Sequence, residues 1–401
     1  MSHPSLTHAA RGGRPLEGLF VVDASDERGE LCGRLLADLG AEVVRLEPPG
    51  GGASRRAAPF APQSGASLAF ALRNSDKRGA TLALGTPTGR ALLDRLLARA
   101  DVFVESYPYD EVARLGLEPE RLLAAHPRLV VTSVSDFGRS GPHARYTGTN
   151  LTGFAVGGMM YRSGAAAKPP VLAPGRFAYD SAGTHAVLAT MLALWQRLRT
   201  GRGQHIDVSV QESVSNFSDW SLPQFSVTGQ IGHRMGAGIY PLFPCADGHV
   251  RAIILVKHHW QAMLEWMGRP ESLLDPALDT LLGRLVNQKK IDEALKQFFA
   301  DKKKIDIAVE AQRRGIPVTP LLRPGEVLAN QHTAARGTFV ELEVAPGESA
   351  QFPSGYFEID GERVGPRERA PAPGEHNREI WVERVGLSEA ELDALRAQGV
   401  V

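Results

Sequence analysis

Short apolar runs and longer stretches of helical periodicity alternate over the first third of the chain. Leu19-Phe20-Val21-Val22-Asp23 reads as a strand, Leu31, Leu35, Leu36 and Leu39 then recur at helical spacing, Gly40 stops that helix, and Val43-Val44-Arg45-Leu46 is a second strand. A second strand–helix–strand unit follows. Thr86 is placed to cap its helix, Pro87 takes the first helical position, Leu92, Leu93, Leu96 and Leu97 share one face, and Val102-Phe103-Val104 is the strand. A third has a helical stretch over Pro119 to Ala125 and a strand over Leu129 to Val134. Strands alternating with helices at this spacing predict an α/β protein with a Rossmann-like wound parallel sheet covered on both faces.

The segment from Ser135 to Gly183 is rich in Gly, Pro, Ser and Thr and reads as a long loop, the kind that carries function in compact domains. Strong helical periodicity returns from Ala182 to Arg199, with Val187, Leu188, Met191, Leu192, Trp195 and Leu198 on one stripe. Asp180 stands where an N-cap belongs and Gly201 where the helix ends. His205 to Val210 supplies the last strand. Past Gln224 the texture changes: Gly232, Gly236 and Gly238 lie in a flexible segment, and Asp247-Gly248 separates two β-type runs as in a hairpin. Residues 257–311 read as mainly helical, and a Pro/Gly-rich C-terminal part follows Gly315-Ile316-Pro317. The expected organisation is a discontinuous large domain over 14–223, a smaller α+β domain over 224–325, and a segment over 326–401 returning to the large domain.

Composition narrows the function. A chain of 401 residues exceeds one ordinary core, and 45 basic against 45 acidic residues leave no net charge. Nucleic acid is therefore an unsuitable partner, because binding a phosphate polymer needs a surplus of Lys and Arg on one face. No apolar run approaches the ~20 residues of a membrane span, so no membrane association is expected. The two cysteines, Cys32 and Cys245, form neither a CxxC nor a disulfide framework, which fits a reducing, cytoplasmic setting. There is no GxGxxG after the first strand, no GxxxxGK[ST], no HExxH and no GxSxG. The adjacent His258 and His259 point about 100° apart on a helix and lack further ligands at useful spacing, so no metal site is expected.

A set of segments in fixed order remains: Arg34-Leu-Leu-Ala-Asp-Leu-Gly-Ala-Glu-Val-Val-Arg-Leu-Glu-Pro-Pro-Gly-Gly51, Asn74 with Lys77-Arg78, Thr86-Pro87, Asp101-Val-Phe-Val-Glu-Ser-Tyr107, Arg114-Leu-Gly-Leu117, Thr200-Gly-Arg-Gly-Gln-His-Ile-Asp207, Gly315-Ile-Pro-Val-Thr-Pro320 and Gly374-Glu-His376. Together they resemble the family III CoA-transferases, the CaiB/BaiF or formyl-CoA transferase family. The resemblance implies a CoA-transferase acting on acyl-CoA and carboxylic acid substrates, with CoA as cosubstrate and no permanently bound cofactor, assembled as an interlocked homodimer.

The family's nucleophile is an Asp just before a long helix in a small-residue setting, which Tyr179-Asp180-Ser181-Ala182-Gly183 matches. Asp180 is thus the expected catalytic residue, kept ionised by the helix dipole and free N–H groups. It is expected to pass through an acyl-aspartyl anhydride and an aspartyl-CoA thioester, with N–H groups at the Ser181 end of the helix as oxyanion donors. By position the resemblance assigns CoA contacts to Arg73, Lys77, Arg78, Glu105, Ser106, Tyr107 and Arg114. It assigns a mobile cover to Gly236-Ala237-Gly238.

Several positions depart from the family pattern. Ser25 to Leu31 replaces an Ala-Gly-Pro loop facing the acyl site, and its Arg28 is a candidate for holding a substrate carboxylate. Thr149 and Asn150 stand where relatives usually carry a Tyr-Asp-Leu-like stretch, so the pocket lacks a secondary carboxylate. Phe154, Met159 and Met160 would suit a larger acyl group. Two other functions stay open at this point: a 2-methylacyl-CoA racemase or isomerase of the same family, whose His falls close to Thr149, and a CoA-binding protein without turnover.

Overall fold

The computed structural model describes residues 13–165, 167–217, 221–231, 234 and 241–401. The chain divides into two compact units. One runs to Tyr161 and takes in Leu172–Ile231 and Ala334–Val401, and the other comprises Arg162–Val171 and Gly232–Thr333. The exchange points lie a few residues later than the change in texture suggests, and no periodicity signals the short piece Arg162–Val171.

The larger unit is built on six parallel strands: β1 (Phe20–Ala24), β2 (Glu42–Glu47), β3 (Lys77–Thr81), β4 (Val102–Glu105), β5 (Val130–Ser135) and β6 (His205–Ser209). Their order is β3-β2-β1-β4-β5-β6, so the winding reverses between β1 and β4. Val22 pairs with both Val44 and Phe103, and alternate residues enter opposite cores. Phe20, Val22, Val44 and Leu46 pack on the predicted leucines of helix α3 (Pro87–Leu97), with α1 (Glu30–Asp38) and α2 (Leu68–Asn74) preceding it in the chain. Thr86 caps α3 through a 2.9 Å bond from the Gly89 N–H. Helices α4 (Tyr109–Leu115), α5 (Pro119–Ala125) and α6 (Asn150–Val156) follow. Across the sheet Val21, Val43 and Val104 meet Leu36 of α1 and Ala182 and Ala186 of α7 (Phe177–Thr200).

Helix α7 begins earlier than expected, at Phe177, so Asp180 lies in its first turn and Arg176 is the N-cap residue. The cap bonds come from Asn150, whose Oδ1 accepts from the N–H groups of Ala178 at 3.0 Å and Tyr179 at 3.4 Å. Periodicity could not reveal this, because the cap is supplied from α6 rather than by the preceding residue. Two glycines set the approach of α1 to its neighbours. A Cβ at Gly183 of α7 would lie 2.8 Å from that of Leu31, and one at Gly33 of α1 would lie 2.2 Å from Asp23 Oδ2. Of the apolar stripe predicted on α7, Val187 is buried while Leu188, Leu192, Trp195 and Leu198 are exposed.

Beneath the carboxyl ends of β1 to β3 sits a cluster of buried charges. The Lys77 ammonium, wholly buried, bonds Asp23 Oδ2 at 2.7 Å, the Glu30 carbonyl at 2.9 Å and Asn74 Oδ1 at 2.9 Å. Arg45 bonds the Ser25 carbonyl and Glu30, which lies 3.1 Å away, and Glu47 accepts from Arg55 at 2.6 Å. Burial pulls the Lys77 ammonium below its usual range, with Asp23 acting against it. In Arg45 burial acts downward, but Glu30, Asp23 and Glu47 outweigh it and the guanidinium is raised.

The C-terminal segment is more structured than its Pro/Gly content implies. It forms two antiparallel hairpins, Phe339–Ala345 with Glu348–Pro353 and Phe357–Ile359 with Glu362–Val364. It then covers the edge strand β3, where His376 Nδ1 accepts from the Gly79 N–H and Asn377 Oδ1 from the Thr81 N–H. Ile380 and Trp381 complete the core behind β1. The smaller unit has helices α10 (Lys257–Trp266), α11 (Leu281–Val286), α12 (Gln288–Phe299) and α13 (Lys304–Arg313), α8 (Val210–Asn216) and α9 (Ser221–Thr228) being in the larger one. Its strands β7 (Leu242–Cys245), β8 (Gly248–Ala252) and β9 (Val318–Pro320) form an antiparallel sheet with the predicted turn at Asp247-Gly248. Among the described residues no helix is long and apolar enough to cross a membrane.

Lys77→Met should cost about 3–5 kcal/mol in urea unfolding, because it strands the buried Asp23 carboxylate. Adding Asp23→Asn should restore part of the loss, and equal losses in the single and double variants would show that the pair is not coupled. Asn150→Ala should cost about 0.5–2 kcal/mol while Asn150→Asp should not, and an unchanged midpoint for Asn150→Ala would remove its capping role.

Candidate active site

Helices α2 and α7 bring Arg73 and Asp180 together. Arg73 Nη2 donates to Asp180 Oδ1 at 2.7 Å, with the Arg73 side chain 9% exposed and that of Asp180 39% exposed. The carboxylate is therefore open to solvent on one side and charge-compensated on the other. Asp180 Oδ2 has no hydrogen-bond donor among the described residues. Arg73 belongs beside the candidate nucleophile, and its expected role in holding CoA phosphate is corrected accordingly. Its Nε is buried and lacks a hydrogen-bond partner among the described residues.

Around this pair lie residues that the sequence did not single out. Arg34 and Asp38, one turn apart on α1, form a buried ion pair at 3.1 Å. Burial raises the Asp38 carboxyl to about 6, with Arg34 opposing and Asp76 adding to the shift. Tyr356, between the C-terminal hairpins, senses Arg34, Asp180, Asp38 and Arg73, and burial of its hydroxyl end raises the phenol. An Arg and an Asp spaced i, i+4 inside a leucine-rich helix are the available signal for the first pair; Tyr356 has none.

The remaining candidates divide by burial. Lys77 is a structural ion, enclosed by Asp23 and Asn74, and is corrected from the CoA set. Arg78 is 40% exposed and paired with Glu368 at 3.1 Å, and Arg114 is exposed and paired with Glu111. Glu105 is buried against Arg139 at 2.6 Å, and its Oδ-equivalent partner oxygen, Oε2, accepts the Tyr107 N–H at 2.9 Å. Burial raises the Tyr107 phenol to about 12.

Arg28 is also corrected as a carboxylate receptor. Its guanidinium bonds Asp26 at 2.6 Å, Asp136 at 3.0 Å and the Ser106 carbonyl at 2.8 Å. Burial acts on Asp26 first, raising it, yet the Arg28 contacts prevail and hold its carboxyl low. Ser106 closes the same knot, accepting the Asp26 N–H at 2.6 Å. These bonds join the loops after β1 and β4, where a wound sheet of this order normally opens to ligand.

Thr149 is the N-cap of α6 in a reciprocal box with Thr152, and Asn150 caps α7. The Ala178 and Tyr179 N–H groups are thereby taken, so the α7 terminus does not offer the expected oxyanion donors. Phe154 is a core residue, 1% exposed and edge-on to Phe177 at 5.5 Å, rather than a pocket wall. Met159 and Met160 pack at the margin of the same core. Gly236, Ala237 and Gly238 lie outside the described residues. His258 and His259 meet edge-on at 4.2 Å, and no cluster able to hold a metal ion occurs among the described residues.

Comparison with known proteins follows the same lines. The sequence profile of CoA-transferase family III matches residues 16–377. A probable CoA-transferase of Mycobacterium tuberculosis is 35% identical over 358 residues, covering 86% of this chain but only 44% of that longer protein. A succinyl-CoA–D-citramalate CoA-transferase of Chloroflexus aurantiacus is 30% identical over 396 residues, 97% of this chain and 98% of the relative. A formyl-CoA:oxalate CoA-transferase of Streptomyces coelicolor is 29% identical over 422 aligned positions, covering 97% and 99% of the two chains. The crystal structure of a CaiB/BaiF family protein from Brucella suis superposes with a TM-score of 0.85 at 27% identity, covering 93% of this chain and all of the other. From the wound sheet through the returning C-terminal segment, the chain belongs to the family III CoA-transferases.

Proposed function

We propose that this enzyme transfers CoA from an acyl-CoA donor to a carboxylic acid acceptor with Asp180 as nucleophile. The observation that carries the reading is the half-exposed Asp180 carboxylate, held by Arg73 through one oxygen only. An aspartate bonded solely within its own helix would have favoured a binding protein without turnover.

In this route Asp180 Oδ2 attacks the thioester carbonyl carbon, the C–S bond breaks, and CoA leaves as a thiolate from the mixed anhydride. The thiolate attacks the Asp180 carbonyl carbon, releasing the first acid as its carboxylate and leaving an aspartyl thioester. An acceptor carboxylate attacks that thioester to give a second anhydride and free thiolate. Attack of the thiolate on the acceptor's carbonyl then forms the new acyl-CoA and restores Asp180. The steps balance without oxidant or reductant, and each intermediate preserves the acyl group's activation. The stabiliser of each tetrahedral oxyanion lies elsewhere than the α7 terminus, whose outermost N–H groups serve Asn150.

We infer further that the chain is a homodimer. Leu188, Leu192, Trp195 and Leu198 are between 53% and 81% exposed along one side of α7, an apolar face of the kind that a second copy covers.

Asp180→Ala should lower exchange at least ~10³-fold with CoA binding retained. Hydroxylamine trapping after incubation with an acyl-CoA should place the activated carboxylate at Asp180 in the unaltered enzyme, and retained turnover in the variant would assign the nucleophile elsewhere. Leu192→Glu should reduce the mass measured by light scattering from two chains to one, whereas a single-chain mass before substitution would exclude the dimer.

A further inference from the structure

The Arg73–Asp180 pair has a chemical consequence that follows from charge conservation, and it rests on Asp180 being the nucleophile. In the free enzyme the guanidinium is compensated by Asp180 at 2.7 Å. When Asp180 attacks an acyl-CoA, its negative charge passes to the departing thiolate and the aspartyl oxygen becomes part of a neutral anhydride. The aspartyl thioester that follows is neutral as well. Arg73 cannot lose its proton near neutral pH. Its side chain is 9% exposed, and its buried Nε has no acceptor among the described residues. Nearby cations do not gain a spare anion for it, since Asp38 is held by Arg34 within α1. Both covalent intermediates therefore strand a largely buried cation, which is costly unless another anion arrives.

We propose that the missing anion is a second carboxylate on the acyl group, so that Arg73 selects dicarboxylic acids and their mono-CoA thioesters. The carboxylate being activated cannot serve, because it becomes the anhydride carbonyl; a remote carboxylate of the same acyl group retains its charge throughout. It enters as Asp180 is neutralised, and the guanidinium changes partner without leaving its place. A planar guanidinium with unused N–H donors is suited to this exchange, since carboxylates bind it through two parallel bonds. Tyr356 supports the same arrangement. Its phenol lies in the field of Arg73 and Asp180, and with its proton held more firmly than usual it is a neutral donor for that carboxylate. Arg73 is thus a specificity residue as well as the counter-ion of the resting nucleophile.

The test compares single-turnover formation of the hydroxylamine-trapped Asp180 adduct from malonyl-, succinyl- and glutaryl-CoA with that from butyryl- and pentanoyl-CoA. The unaltered enzyme should favour the best dicarboxylyl donor at least ~30-fold over the uncharged ones. Arg73→Met should bring that ratio close to one, chiefly by slowing the dicarboxylyl donors, while Arg73→Lys should keep part of it. Circular dichroism and thermal unfolding establish that the variants are folded; should Arg73→Met not fold, the donor ratio of the unaltered enzyme and of Arg73→Lys still decides. A wild-type preference for uncharged donors, or an equal slowing of both donor classes in a folded Arg73→Met, would overturn the proposal while leaving Asp180 as nucleophile. Active exchange with no adduct at Asp180 from any donor would overturn the nucleophile assignment itself, and this inference with it.

Discussion

The ion pair between Lys77 and Asp23 is the constraint from which the candidate site is built. Both side chains are fully buried, and the ammonium also bonds Asn74 Oδ1 and the Glu30 carbonyl, so one charge ties β1, the start of β3, the end of α2 and the start of α1. Burying two ions is costly unless their remaining hydrogen bonds are met, and here neighbouring backbone and amide groups meet them. Gly33 is part of the same constraint, because a Cβ there would occupy the position of the Asp23 carboxylate. Arg73 immediately precedes Asn74 on α2. The buried pair consequently fixes the helix that presents the counter-ion to Asp180.

The second constraint comes from α7. A helix N-terminus is a source of positive potential and of unpaired N–H groups, and a carboxylate in its first turn normally draws on both. Here Asn150 takes the N–H groups of Ala178 and Tyr179, and Arg176 is drawn aside to Glu27 at 2.7 Å. The formal charge opposite Asp180 comes instead from Arg73. The distinction matters because a helix terminus remains in place through every step, whereas a mobile cation can exchange partners. A site built around an arginine can therefore respond to the charge of its substrate.

Legibility followed the physics of each signal. The alternation of strand and helix, the Thr86 cap and the Asp247-Gly248 turn depend on local patterning and appear in the structure at or near the expected residues. The start of α7 was obscured because its cap lies 28 residues upstream, in Asn150. Asp180 emerged through family resemblance, since an acidic residue near a helix start is otherwise an ordinary cap. Arg73, Lys77 and Arg78 look alike in a sequence, yet one faces the nucleophile, one is a structural ion and one is on the surface. Only tertiary packing separates them. The stripe on α7 was visible as apolar, but periodicity identifies an apolar face without saying whether its own chain covers it.

The knot at the sheet's reversal point separates fold from function in this protein. Strand order 3-2-1-4-5-6 places the natural crevice between β1 and β4, where a glycine-rich turn would admit a phosphate. This chain fills that place with Asp26, Arg28, Ser106 and Asp136, whose hydrogen bonds are made to one another. A phosphate entering there would face Asp26 and Asp136 at close range and would have to displace both from Arg28, exchanging buried, satisfied contacts for equivalent ones. The crevice that serves other wound sheets as a nucleotide site is here a joint between loops. Catalytic chemistry is consequently referred to α2 and α7, so the strand order alone would have directed attention to the wrong part of the molecule.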